Sequence, residues 1–127
     1  MLVAGGAGFV GTNLINKLLS IGANVTATLF KKSTIIKNDK VRYIHCDLRK
    51  PKDCKKVCKN VDYVIMCAAN TSGAQVMATM PLVHLTPNIL MNMNMLEAAY
   101  EADVEKFLFM SSNTVYPLTD YPVKEDD

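Results

Sequence analysis

Gly5, Gly8 and Gly11 recur every third residue in the stretch Gly5-Gly6-Ala7-Gly8-Phe9-Val10-Gly11, which also reads as Gly6-x-Gly8-x-x-Gly11. Glycines so spaced can hold phosphates if a strand precedes them and a helix follows. Both flanks match. Met1-Leu2-Val3-Ala4 is an apolar run, and Val10, Leu14, Ile15, Leu18 and Leu19 then recur at helical spacing. The glycines make a tight turn off the strand and let a pyrophosphate lie against backbone N–H groups, while the helix N-terminus supplies partial positive charge. The stretch therefore predicts a dinucleotide site, with a glycine loop serving only packing as the alternative. A second group of chemically suggestive residues is Lys31-Lys32, after a strand-like run that ends at Leu29-Phe30 without a carboxylate. A carboxylate there binds an adenosine ribose diol, whereas a cation accommodates a 2′-phosphate. The lysines favour NADP slightly over NAD, unless they are a solvated charge pair.

Five apolar segments must position these residues. Besides the first, Asn24–Phe30 is rich in β-branched residues, Val41–Cys46 alternates, Val61–Cys67 is nearly all apolar, and Lys106–Met110 closes the series. Helical patterns intervene. Ile21-Gly22 reads as the stop of the first, Pro51 suits the start of the second over Lys52–Lys59, and a long one runs through Ile89, Leu90, Met93, Leu96, Ala99 and Tyr100 to about Asp103. Pro81 and Pro87 read as breaks before this last helix. Strands alternating with helices predict an α/β fold, a Rossmann-type doubly wound parallel sheet of five strands in the order 3-2-1-4-5. The loops after all five strands would then share one edge of the sheet, where such folds bind ligands. After the fourth strand, the small residues from Ala68 to Ala74 let a ligand approach the backbone.

The 127 residues suit one domain, half of them hydrophobic and 20% charged, with a net charge of +2 and 7% aromatic. No basic block marks a nucleic-acid binder, no apolar run reaches the ~20 residues of a membrane span, and the first strand leaves no room for a signal peptide. The expectation is a cytoplasmic protein with no nucleic-acid or membrane partner. Cys46, Cys54, Cys58 and Cys67 lack close Cys-x-x-Cys pairs, so they read as buried thiols rather than a metal site.

Taken together, Gly5-x-x-Gly8-x-x-Gly11, Asp47-Leu48, Ala68-Ala69, Asn88 nine residues before Glu97-Ala98-Ala99, and Ser111-Ser112-Asn113-Thr114-Val115-Tyr116-Pro117 resemble the extended short-chain dehydrogenase/reductases. More narrowly the chain resembles the NAD-dependent epimerase/dehydratase family acting on nucleotide sugars. The resemblance implies that the loop of Gly5, Gly8, Phe9, Val10 and Gly11 binds pyrophosphate, that Asp47 and Leu48 lie at the adenine, and that Ala68 and Ala69 line the cofactor channel. It further implies that Asn88 supports the site, that Ser112 bonds the reacting sugar oxygen and that Thr114 lies beside the substrate. The Ser-Ser…Tyr-Pro ending is similar to that of the GDP-fucose synthases, which use NADP.

One part of the family pattern is missing. The family's general acid/base is a tyrosine in Tyr-x-x-x-Lys, and no such pair occurs here; Tyr121 and Lys124 are three apart, and Tyr116 is followed by Asp120. The expectation is that residues 1–127 are the NAD(P)-binding part of a longer enzyme, cut before the catalytic pair and the substrate lobe and inactive alone. An exposed fifth strand would then favour pairing with another copy, or poor solubility. Two alternatives differ in class: a dinucleotide-binding or regulatory protein without chemistry, and an extended short-chain reductase of non-sugar carbonyls.

Overall fold

The structure, a computed structural model, describes residues 1–34, 36–112 and 115–126. Nine elements follow one another: β1 (Leu2–Ala4), α1 (Phe9–Ser20), β2 (Val25–Leu29), β3 (Val41–His45), α2 (Pro51–Cys58), β4 (Tyr63–Met66), α3 (Ala74–Thr79), α4 (Leu82–Glu101) and β5 (Lys106–Phe109). The strands form one sheet in the order β3-β2-β1-β4-β5, with every neighbouring pair parallel. The order reverses between β1 and β4, which places the crevice of such sheets beside the carboxyl end of β1.

Strand periodicity divides the core between the two faces. Leu2, Ala4, Val64 and Met66 pack with Val57, Cys54 and Cys58 of α2 and Met95, Ala98 and Ala99 of α4. Val3, Val25, Ala27, Val41 and Ile65 pack on the other face with Ile15 and Leu18 of α1. A central strand covered on both sides explains why β1 and β4 read as continuous apolar runs. The edge strand β5 behaves differently, its Leu108 and Phe109 being 51% and 53% exposed.

Two helices end in the same way. Gly22, at φ 79°, follows α1, with Ala23 N–H donating to Leu18 O at 3.0 Å and Gly22 N–H to Leu19 O at 3.0 Å. After α4 the left-handed position is taken by Asp103, at φ 52°, with Val104 N–H on Ala99 O and Asp103 N–H on Tyr100 O. These six-to-one closures satisfy helix-end carbonyls.

The region around the prolines departs from the sequence expectation. Pro81 is the N-cap of α4, and Pro87 lies inside the helix rather than before it. A further short helix, α3, precedes them. The strands are also shorter than expected by one to three residues.

Candidate functional site

The carboxyl end of β1 runs directly into the glycine turn, and β2 holds that turn in place. Gly5 N–H donates to Thr28 Oγ1 at 2.9 Å and Gly6 N–H to Thr28 O at 2.9 Å, so a buried threonine orients two successive peptides. The chain reverses at Gly5, whose φ of 88° favours glycine, and a Cβ there would stand 2.7 Å from Ala68 Cα. Gly11 is required by packing as well, since its Cβ would lie 2.2 Å from Gly5 O. Gly8 is different. Its backbone is extended, and an added Cβ would meet only Gly5 O at 3.4 Å, an ordinary contact. Among the described residues no close contact demands a glycine there, yet the position opens on the cleft described next. Gly8 is also the N-cap of α1 and carries no side chain to take the first helical N–H groups. A turn with room beside it and open helical donors fits the pyrophosphate of a dinucleotide.

A cleft of about 350 Å³ lies along the carboxyl ends of β1 to β4. Gly5, Gly8, Lys31, Lys32, Asp47, Leu48, Ala68 and Ala69, all singled out from the sequence, line it. Phe9, Val10 and Gly11 form the first turn of α1 and are not on the wall, Phe9 being 88% exposed. Ser112 follows β5 and is not among the residues lining this cleft, and its carbonyl accepts from Val115 N–H at 3.3 Å. Thr114 lies outside the described residues.

At the β2 and β3 end the cleft carries a third cation that the sequence reading did not single out. Arg49 grips both carboxylate oxygens of Asp47, Nε on Oδ1 at 2.8 Å and Nη2 on Oδ2 at 2.7 Å, and its N–H also donates to Oδ1. The Arg49 hydrogen bonds hold the Asp47 carboxyl below the usual carboxylate range, against a smaller opposing effect of burial. The guanidinium stands 5.2 Å from the centre of the Phe30 ring, and Lys31 Nζ stands 5.6 Å from it. Asp53, in the first turn of α2, accepts Asp47 N–H at 2.9 Å and so fixes the turn after β3. A planar aromatic ring with Lys31 and Arg49 against it, and Lys32 on the same cleft wall, is suited to a flat base and an anion.

At the β4 end the wall is made by Ala68, Ala69 and Asn70, and Asn70 is tied to α4 by four hydrogen bonds. Its N–H donates to Asn88 Oδ1 at 2.7 Å, and its carbonyl accepts from Asn88 Nδ2 at 3.0 Å and from His84 Nδ1 at 3.1 Å. Its side-chain amide donates to Val83 O at 2.8 Å. Val83 O is the carbonyl that an N–H at position 87 would take in an α-helical ladder, and Pro87 has none. Asn88 thus acts on the cleft through Asn70 and does not line it. In the sequence Asn70 stood only within the small-residue stretch from Ala68 to Ala74, and His84 only as a polar residue between Pro81 and Pro87.

The thiols read as inert. Burial pushes Cys54 up to about 12 and Cys58 up to about 11, and Cys46, half-buried between Asp53 and Asp47, also rises to about 11. No cluster of metal-ligating side chains occurs among the described residues. No helix among them is long and apolar enough to cross a membrane.

Comparison with known proteins agrees with this geometry. The chain is 31% identical over 134 residues to GDP-mannose 3,5-epimerase 1 of Oryza sativa subsp. indica, covering 98% of this chain and 35% of that protein. It is 30% identical to the GDP-L-fucose synthase of Sinorhizobium fredii, covering 98% and 36%. Among solved structures it superposes on MoeE5 in complex with UDP-glucuronic acid and NAD, at a TM-score of 0.86 and 31% identity over 99% of this chain and 41% of that one. The epimerase Mth375 of Methanothermobacter thermautotrophicus gives a TM-score of 0.86 and 32% identity over 99% and 39%. The chain therefore spans little more than a third of the length of these curated relatives. The model of the NAD-dependent epimerase/dehydratase family matches residues 1–127, the whole chain, and with a Rossmann-type sheet and a glycine turn in place the chain belongs to that family.

Proposed function

We propose that this chain is the dinucleotide-binding part of an NAD(P)-dependent epimerase, dehydratase or reductase acting on a nucleotide-linked sugar. The observation that carries the reading is the room at Gly8: a glycine that packing does not require, at the uncapped start of α1, facing a cleft. In this reading the backbone donors of the Gly5–Gly11 turn hold the pyrophosphate, and the helix start adds positive potential. Asp47 and Leu48 lie at the adenine, and the Ala68-Ala69-Asn70 wall excludes water from the far side of the cofactor. The nicotinamide, when bound, supplies hydride acceptance and return. Ser112 donates a hydrogen bond to the sugar oxygen and so steadies the charge that develops there, and Thr114 is the residue beside the substrate that the resemblance implies. The tyrosine that moves the hydroxyl proton, its lysine and the sugar-binding lobe come from sequence outside residues 1–127, so these residues alone turn over nothing.

For the cofactor we favour NADP slightly, on Lys31 and Arg49 against Phe30 with Lys32 on the same cleft wall, at the place where a diol-binding carboxylate is missing. A second copy of the chain is the expected partner of the exposed edge at β5. The test is calorimetric titration with NADPH and with NADH. Saturable one-to-one binding supports the reading, and a folded chain that binds neither overturns it.

A further inference from the structure

His84 is one of two buried polar side chains in the core of the described residues, 9% exposed, and nothing in the cofactor reading uses it. Both ring nitrogens are engaged. Nδ1 lies 3.1 Å from Asn70 O and Nε2 lies 2.6 Å from Ser72 Oγ. A carbonyl oxygen only accepts, so in the neutral ring Nδ1 carries the proton and Nε2 accepts from the serine hydroxyl. The ring therefore spans from the first turn of α4 to two residues of the loop after β4. It shares Asn70 O with Asn88 Nδ2, which gives that carbonyl two donors from one helix.

The consequence concerns the peptide between Ala69 and Thr71. Asn70 and Ala69 line the cleft, and the loop that continues to Gly73 is held to the rest of the fold by polar contacts more than by packing, since residues 70 to 73 are exposed. Removing His84 leaves Asn88 Nδ2 as the one donor to Asn70 O, beside the Asn70 N–H bond to Asn88 Oδ1 and the side-chain bond to Val83 O. The geometry points to His84 as a positioning residue that, acting through Asn70 O, fixes the backbone after β4 in the shape the cleft requires. It touches neither the cleft nor its ligand and sets the fraction of molecules whose wall is already formed. This rests on the dinucleotide reading above. A ligand meeting a wall that is formed in only a tenth of the molecules binds about tenfold more weakly.

The test uses the whole chain with three replacements. His84→Asn keeps a donor at the Nδ1 position and loses the Ser72 contact, His84→Gln keeps only the far end, and His84→Ala removes both. Proton–nitrogen correlation spectra of the parent should show the Nδ1–H tautomer, and an Nε2–H tautomer overturns the assignment. The dissociation constant for whichever of NADH or NADPH binds more tightly should rise about tenfold in His84→Ala and His84→Gln and return to within about threefold in His84→Asn. Exchange of the Asn70 amide, read without ligand, should quicken in the same two variants and recover in the third. A lowered melting temperature with unchanged affinity and unchanged Asn70 exchange would reduce His84 to a packing residue and overturn the proposal. If His84→Ala does not fold, the contrast between Asn and Gln decides. A parent that binds neither nucleotide overturns the cofactor reading, and Asn70 exchange then decides the role of His84 by itself.

Discussion

The side-chain amide of Asn70 donates to the carbonyl of Val83 at 2.8 Å, across thirteen residues of sequence. That carbonyl belongs to the first turn of α4 and faces the missing N–H of Pro87. A proline inside a helix is tolerated when another donor takes the freed carbonyl, and here the donor is a residue of the cleft wall. The Asn70 main chain is held separately, by Asn88 and His84, so truncating its side chain removes the Val83 bond and leaves the others.

A double-mutant cycle follows from that arrangement. Asn70→Ala should cost about 1 kcal/mol in urea unfolding, the usual worth of such a bond plus the cost of an unpaired acceptor. Pro87→Ala restores an N–H to the ladder, and in that background Asn70→Ala should cost about half as much or less. Equal costs in the two backgrounds would mean that the Val83 carbonyl does not depend on Asn70.

This pair also shows what the sequence could and could not disclose. The β1–glycine–α1 unit was legible because the apolar period changes from continuous to helical across the glycines, and the strand order followed from alternation and handedness. The start of α4 was not, because Pro81 and Pro87 are breakers by local rule, and the group that makes Pro87 acceptable lies in another loop. Arg49 was missed for a similar reason. Two residues from Asp47 it reads as one more surface cation, and its stacking on Phe30 depends on β2 and β3 being neighbours. Asn88 was read as a supporting residue, and the atoms it supports are those of the Asn70 peptide.

The three glycines of the turn should separate into two kinds on substitution. Gly8→Val meets an extended backbone that accepts a β-branched residue and no close atom but Gly5 O, so circular dichroism and the melting temperature should change little. In the proposed reading the added side chain projects where the phosphates lie, so NADH and NADPH binding should be lost. Gly11→Ala forces a Cβ to 2.2 Å from Gly5 O, and the turn must move, at a cost of several kcal/mol by the usual scale of overpacking with strain. A Gly8→Val protein that binds with parental affinity would remove the phosphate cradle, and a Gly11→Ala protein as stable as the parent would show that the turn yields.

The thiols give a prediction in pH. Burial raises Cys54 to about 12 and Cys58 to about 11 from an ordinary value of 9.0. A group whose folded value is raised stabilises fully below the unfolded value, and that contribution is lost as the pH climbs through the folded one. Stability should therefore decline from about pH 9, through about pH 11 for Cys58 and about pH 12 for Cys54. At pH 8 a thiol shifted by two units carries about a hundredfold less thiolate than a free one, so alkylation of Cys58 in the native protein should be slower by at least that factor. Rapid native-state labelling of Cys54 and Cys58, located by peptide mass, would contradict their burial.

The cation group at the end of β2 yields the sharpest test of cofactor choice. Lys31 and Lys32 are exposed, and each can reach an anion at the cleft mouth without disturbing the fold. Replacing both with Ala should weaken NADPH about tenfold or more, the scale of one or two charge-assisted hydrogen bonds, and leave NADH unchanged. Equal losses for the two would identify the lysines as a solvated pair that attracts any dinucleotide through long-range charge, an effect that 0.5 M salt, roughly, should erase. Arg49 is already committed to Asp47 and to the Phe30 ring, and its removal acts on both. Arg49→Ala takes away the largest cause of the lowered Asp47 value, so the Asp47 midpoint followed by carboxyl resonance should move up toward the ordinary range. The sign for stability follows: a carboxyl depressed in the fold stabilises above its unfolded value and loses that contribution as the pH falls through the folded one, so the stability advantage of the parent over Arg49→Ala should be full above about pH 4 and shrink away as the pH falls below it. If Arg49 also reads the 2′-phosphate, Arg49→Ala lowers NADPH affinity more than NADH affinity. If it serves only to hold Asp47 toward the adenine, both affinities fall together.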